Sequence, residues 1–73
     1  MKLISWNVNG IRAALKKGFL EWLMTEAPDV LCVQETKVHD GLVPDELESV
    51  LGYNVFWCGG ERKGYSGVAC FTK

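Results

Sequence analysis

The sequence predicts an α/β fold (α+β in its final antiparallel pair) with the element order β-α-β-α-β-β. Three observations predict it. Segments whose apolar residues alternate, or run together with β-branched residues, take turns with segments whose apolar residues recur at helical spacing. Gly, Pro and Asn fall at the switches between them. The last two strand-like runs are separated only by a short glycine-rich, charged stretch, which reads as a hairpin.

Each element follows from its own letters. Lys2 to Asn7 reads as a strand, with Leu3, Ser5 and Asn7 on one face and Ile4, Trp6 and Val8 on the other. Val8-Asn9-Gly10 is a turn. A helical stretch runs from about Ile11 to Glu26, with Phe19, Leu20, Trp22 and Leu23 as its apolar stripe and Gly18 as a break. Pro28 ends it, because proline disfavours helix at the residue before it. Val30 to Gln34 is apolar and partly β-branched, the pattern of a buried strand. A polar loop from Glu35 to about Val43 follows. Pro44 is expected at the first position of a second helix, with Asp45 and Glu46 opposing its dipole and Gly52 closing it. Tyr53 to Cys58 and Gly67 to Thr72 are the last strands, around a turn at Gly59 to Gly64. Val68-Ala69-Cys70-Phe71 is apolar on both faces and calls for cover on both sides.

A chain of 73 residues is one unit, spanning 1–73, without repeats or low-complexity segments. A unit of this size hides only about 60% of its unfolded surface. With 48% hydrophobic residues, it is rich in apolar faces that need a partner. The formal charge of −1 gives no overall attraction to nucleic acid, so any such contact rests on local clusters: Arg12, Lys16 and Lys17, then Arg62 and Lys63. The bland reading of both clusters is a solvated surface. Cys32, Cys58 and Cys70 are odd in number and form no C-x-x-C, which argues against a zinc site or a disulfide framework. Cys32 and Cys70 read as small buried hydrophobes, and the set fits a reducing cytoplasm. No run approaches the roughly 20 apolar residues of a membrane span. The start lacks a signal peptide and leaves no room for a targeting extension, so a cytoplasmic protein without a membrane partner is expected.

Two polar residues stand out by position. Asn7 lies at the carboxyl end of the first strand and Glu35 just beyond that of the second. If the two strands are parallel neighbours, both side chains reach the same edge of the sheet, where open α/β sheets bind ligands. A carboxylate and an amide oxygen are hard donors that suit magnesium, which takes one or two protein carboxylates and completes its shell with water and phosphate. Taken singly, Glu35 is also an ordinary loop acid and Asn7 an ordinary turn former.

The surrounding letters are more specific. They are Ser5-Trp6-Asn7-Val8-Asn9-Gly10-Ile11-Arg12-Ala13 and Leu31-Cys32-Val33-Gln34-Glu35-Thr36-Lys37, then Lys37-Val38-His39-Asp40, Leu51-Gly52-Tyr53-Asn54-Val55-Phe56 and Gly64-Tyr65-Ser66-Gly67-Val68-Ala69. Together they resemble the exonuclease III and apurinic/apyrimidinic endonuclease family, within the endonuclease/exonuclease/phosphatase superfamily, over nearly the whole chain. The resemblance implies a four-layer α/β sandwich, of which this chain would be the N-terminal part and incomplete. It implies that Glu35 is the principal metal-binding carboxylate and that Asn7 helps shape the metal and phosphate site, both counting as catalytic. Asn9 falls where family members carry Asp or Asn, and Lys37 matches the lysine beside the acidic cluster. Arg12, Ala13 (through its amide) and Lys17 match contacts to the DNA backbone, and Gly64, Tyr65 and Ser66 a second gripping loop. Such contacts position a duplex without reading its sequence.

The activity implied is magnesium-dependent hydrolysis of DNA at an abasic site or a 3′ end, with manganese as the other metal. The expected partner is double-stranded DNA, together with the remaining C-terminal portion of the same domain. The family's Asp-x-Asn motif, its late Asp-His pair and its intervening tyrosine do not occur in these 73 residues. His39 lies far from the position of the catalytic histidine and is not expected to be one. The isolated chain is therefore expected to be inactive. Two other readings stand beside it: a DNA-binding module or pseudo-enzyme without chemistry, and a nucleotide-binding βαβ unit. The last lacks both G-x-G-x-x-G and G-x-x-x-x-G-K-[ST].

Overall fold

The computed structural model describes residues 1–38, 43–58 and 67–73. Strand β1 (Leu3–Asn7) leads into α1 (Ile11–Lys16), α2 (Phe19–Glu26) and β2 (Val30–Gln34), followed by α3 (Asp45–Glu48), β3 (Asn54–Cys58) and β4 (Val68–Thr72). The strands form one sheet in the order β1-β2-β4-β3. The α-helical crossover makes β1 and β2 parallel, with Leu3 opposite Val30 and Asn7 opposite Gln34. β4 enters between β2 and β3 and is antiparallel to both. The mixed α/β class and the final hairpin agree with the sequence reading.

Gly18 divides the predicted long helix in two. Its φ of 97° and ψ of 30° are left-handed, and its N–H closes the last turn of α1 on the Leu15 carbonyl at 3.1 Å. The same carbonyl-to-amide logic restarts the helix, since the Trp22 N–H bonds to the Gly18 oxygen at 3.0 Å. α2 stops at Ala27, also left-handed, one residue before Pro28. Two cations serve this helix end: Lys2 Nζ donates to the Glu26 carbonyl at 3.0 Å and Lys73 Nζ to the Ala27 carbonyl at 2.9 Å. Cations belong here because the last carbonyls of a helix lack amide partners.

One face of the sheet packs on the helices. Leu31, Val33 and Phe71 from the strands meet Ile11, Phe19 and Leu23 from α1 and α2, and all are buried. An aromatic string crosses this core. Trp6 stacks on Phe19 with centroids 5.7 Å apart, and Phe19 leads to Phe71 at 5.7 Å and then to Trp57 at 6.2 Å. Leu47 of α3 is buried beside it, and its carbonyl accepts the Trp57 indole N–H at 3.4 Å.

Three sequence expectations change. Pro44 caps α3 from outside rather than entering it, and the helix ends at Glu48. Ser49 turns extended, buried Val50 bridges to Tyr53, and Gly52 (φ 89°) serves that turn, not a helix end. Leu51, the next helical core position after Leu47, is 93% exposed, so no apolar stripe is there to extend the helix. Cys32 is exposed and Cys70 half-buried rather than core, their sulfurs 3.8 Å apart across β2 and β4. The reason is that, among the described residues, helices cover only one face. On the other lie Leu3 (66% exposed), Phe56 (60%) and Val68 (50%), so β4 lacks the second cover its sequence calls for.

Candidate active site

The parallel pairing of β1 and β2 brings two turns to one edge of the sheet. The chain leaves β1 through Val8-Asn9-Gly10 and leaves β2 through Glu35-Thr36-Lys37. The first turn lies on the second bond by bond: Val8 N to Gln34 O at 3.1 Å, Gly10 N to Glu35 O at 2.8 Å, and Ile11 N to Thr36 O at 3.0 Å. On the far side the Thr36 N–H donates to the Gly67 carbonyl at 3.1 Å, at the entry to β4.

Both turns are left-handed. Asn9 (φ 49°) and Gly10 (φ 101°) accept this conformation readily, but Glu35 (φ 54°) and Lys37 (φ 59°) do not. Each such residue is strained by about 1–2 kcal/mol. The bonds along the two turns contribute about 1 kcal/mol apiece, enough to hold that strain in place. The strain has a consequence for the site: it sets the directions from which the Glu35 and Lys37 side chains leave the backbone.

Those side chains join a relay of four residues. Asn7 Nδ2 donates to Glu35 Oε2 at 2.5 Å. Asn7 Oδ1 accepts the Asn9 N–H at 3.0 Å, an Asx-type turn that fixes which way the amide faces. Lys37 Nζ donates to Asn9 Oδ1 at 2.5 Å. The amide of Asn7 thus holds one oxygen of an exposed carboxylate and leaves the other for a ligand. Glu35 and the amide oxygens are hard donors, so the set fits a magnesium-like ion that keeps most of its water. Among the described residues no three His, Cys, Asp or Glu side chains gather into a metal cluster. Any ion at this edge would be held by Glu35 as the one protein carboxylate among them.

The remaining predicted positions divide. Arg12 and Ala13 lie exposed in the first turn of α1, and Lys17 follows its end, also exposed. Ala13, Lys17 and Asn9 line one hollow of about 380 Å³ with Trp6, Phe19 and Trp22. The structure therefore brings Asn7, Asn9, Glu35 and Lys37 together and sets Ala13 and Lys17 beside them. Gly64, Tyr65, Ser66, His39 and the Arg62–Lys63 pair lie outside the described residues. Sequence reasoning passed over Thr36 and Gly67. The signal for Thr36 was its place between Glu35 and Lys37, the two side chains singled out in the turn after β2.

A family model described as the endonuclease/exonuclease/phosphatase family matches residues 4–73. The chain belongs to this family. The family is one of hydrolases, and the chain shares its mixed α/β sheet. An exodeoxyribonuclease of Bacillus subtilis is 51% identical over 74 residues, covering 100% of this chain and 28% of the relative. An AP endonuclease structure from Archaeoglobus fulgidus superposes with a TM-score of 0.83 and 38% identity, over 99% of this chain and 27% of that one. The 3′ phosphatase NExo from Neisseria, solved with a product DNA hairpin, gives a TM-score of 0.82 and 32% identity over 99% of this chain and 27% of its own. The chain thus spans about a quarter of the length of the proteins it matches.

Proposed function

We propose that these residues form the metal-holding edge of a magnesium-dependent nuclease that hydrolyses phosphodiesters in damaged DNA, at an abasic site or a 3′ end. The observation that carries this is the 2.5 Å bond from Asn7 to Glu35 at the shared edge of two parallel strands. Similarity to nucleases and to a DNA-bound 3′ phosphatase supports the substrate class.

In this reading Glu35 would hold the metal, and Asn7, bonded to Oε2, keeps the carboxylate from rotating away. When bound, magnesium (or manganese) polarises the phosphoryl oxygen and stabilises the departing oxyanion. Lys37 acts through Asn9, keeping the first turn pressed on the second. Arg12, Lys17 and the Ala13 amide take the DNA backbone on the α1 side by charge-assisted or amide hydrogen bonds, and Gly64, Tyr65 and Ser66 take it on the other. Such chemistry needs positioning and charge more than covalent steps by the protein. No Asp-x-Asn and no Ser-Asp-His occurs in the 73 residues to orient and deprotonate the attacking water. The chain alone is therefore expected not to cleave. No helix of the described residues is long and apolar enough to cross a membrane, and three free cysteines suit a reducing cytoplasm, where we place the protein.

The test compares the isolated chain with the full-length protein on a duplex carrying an abasic site, with magnesium and with chelator. Full-length protein should cut only with metal, and Glu35→Gln should reduce cutting at least about a hundredfold. Metal-independent cutting, or an unaffected Glu35→Gln variant, would overturn the reading. Cutting by the isolated chain would sink its inactivity alone. Metal-free duplex binding without cutting by the full-length protein would favour a binding module.

A further inference from the structure

We infer that Thr36 is a positioning residue, the buried pin on which the metal carboxylate and both flanking segments are aligned. The inference rests on the reading of Glu35 as a metal ligand. Thr36 sits between two left-handed residues, Glu35 at φ 54° and Lys37 at φ 59°, whose side chains are both exposed. Its own side chain points the other way and is only 1% exposed. Its backbone ties two segments together: its carbonyl accepts from Ile11 at 3.0 Å and its N–H donates to Gly67 at 3.1 Å, while the preceding Glu35 carbonyl accepts from Gly10 at 2.8 Å in the same first turn.

The hydroxyl explains which property of Thr36 matters. Among the described residues, Oγ1 is buried and has no hydrogen-bond partner. An unpaired buried hydroxyl is unfavourable, and bulk water cannot reach it. What Thr36 supplies is therefore shape. A β-branched side chain is stiff at χ1 and fills its site in one orientation, which fixes the backbone that carries Glu35 on one side and Lys37 on the other. Glycine at 67 completes the junction. Its φ of 100° lies where L side chains are strained, and this conformation leads into β4 while the Gly67 carbonyl receives the Thr36 N–H.

The experiment uses the full-length protein and titrates Mg²⁺ and Mn²⁺ by calorimetry, with thermal unfolding and steady-state kinetics on abasic duplex measured in parallel. Thr36→Ala should weaken metal binding roughly 10- to 100-fold, the range for removing a ligand's support. KM for the duplex should rise with it, because the α1 turn is pinned at the same point. Thr36→Val, which keeps the branch and drops the hydroxyl, should bind metal within about twofold of the parent. Thr36→Ser, which keeps the hydroxyl and drops the branch, should behave like Thr36→Ala and serves in its place if that variant does not fold. Parental metal affinity in Thr36→Ala or Thr36→Ser overturns the inference. So does a Thr36→Val variant as weak as Thr36→Ala, since the hydroxyl would then be the working group. Glu35→Gln separates the two claims. If it leaves metal binding intact, the reading of Glu35 fails; if it abolishes binding while Thr36→Ala does not weaken it, only the pin fails.

Discussion

Asn7 uses both ends of its amide, one on the Glu35 carboxylate and one on the Asn9 backbone. Replacing it with leucine would keep the volume but remove both bonds. In the full-length protein, Asn7→Leu should weaken magnesium binding by about 10- to 100-fold with little change in unfolding temperature, measured by calorimetry and by thermal scans. A variant with parental affinity would mean that the carboxylate needs no support from this side. The meeting of Asn7 and Glu35 was legible in the sequence, because parallel strands joined by a helix must bring their carboxyl ends to one edge. Their bond was not, and neither were the left-handed φ values at Glu35 and Lys37. Nothing in a Glu or Lys side chain favours that conformation; it comes from neighbouring backbone that the sequence does not advertise.

At the scale of elements, glycine and alanine show how helix ends are made. Gly18 has room for a methyl group, since a Cβ there would lie 3.5 Å from the nearest atom, so only its left-handed φ of 97° resists substitution. Gly18→Ala should destabilise the protein by about 1 kcal/mol. Ala27 carries the same conformation without glycine's freedom. Ala27→Gly removes about 1–2 kcal/mol of strain and adds about 0.5–1 kcal/mol of unfolded-chain entropy, so a net gain of roughly 0.5 kcal/mol is expected in denaturant titrations. The corner after α2 also carries a pH response. The Lys2 amide, 2.6 Å from the Asp29 carboxylate, holds its pKa below the usual range, opposed by partial desolvation and aided by the charge of Lys73. A depressed carboxylate stabilises fully above its unfolded pKa and loses that contribution as pH falls through the folded value. Asp29→Asn should therefore lower stability at neutral pH and flatten the acid side of the stability profile below about pH 4. The strands and the Gly18 break were readable because period and glycine act locally. The length of α3 was not, because Val50 leaves the helix for a bridge to Tyr53 that propensity cannot foresee.

For the whole molecule, the two faces of the sheet have opposite needs. The helix-covered face is a closed core, while the other presents Leu3, Phe56 and Val68. The sequence pattern gave notice of this by making β4 apolar on both sides. It could not say that the described helices would all lie on one. A change at Phe56 should have opposite effects in two settings. In the isolated chain, Phe56→Lys should reduce self-association, read by light scattering. In the full-length protein, if further chain supplies the second cover that the apolar β4 calls for, it should destabilise by about 3 kcal/mol or more. Unchanged stability of the Phe56→Lys full-length protein would show that the face stays open to solvent there.

The bond-by-bond contact between the turn after β1 and the turn after β2 also limits how such a protein can vary in length. Removing one residue from Val8-Asn9-Gly10 shifts every donor by one place against fixed acceptors. The Glu35 and Thr36 carbonyls would then lose the Gly10 and Ile11 donors that now match them. A compensating deletion in Glu35-Thr36-Lys37 would remove the carboxylate, its pin or the lysine that bonds to Asn9. Insertions and deletions are thus confined to other connections, and transplanting this edge onto a new scaffold requires moving both turns together, as one part with two strands of chain.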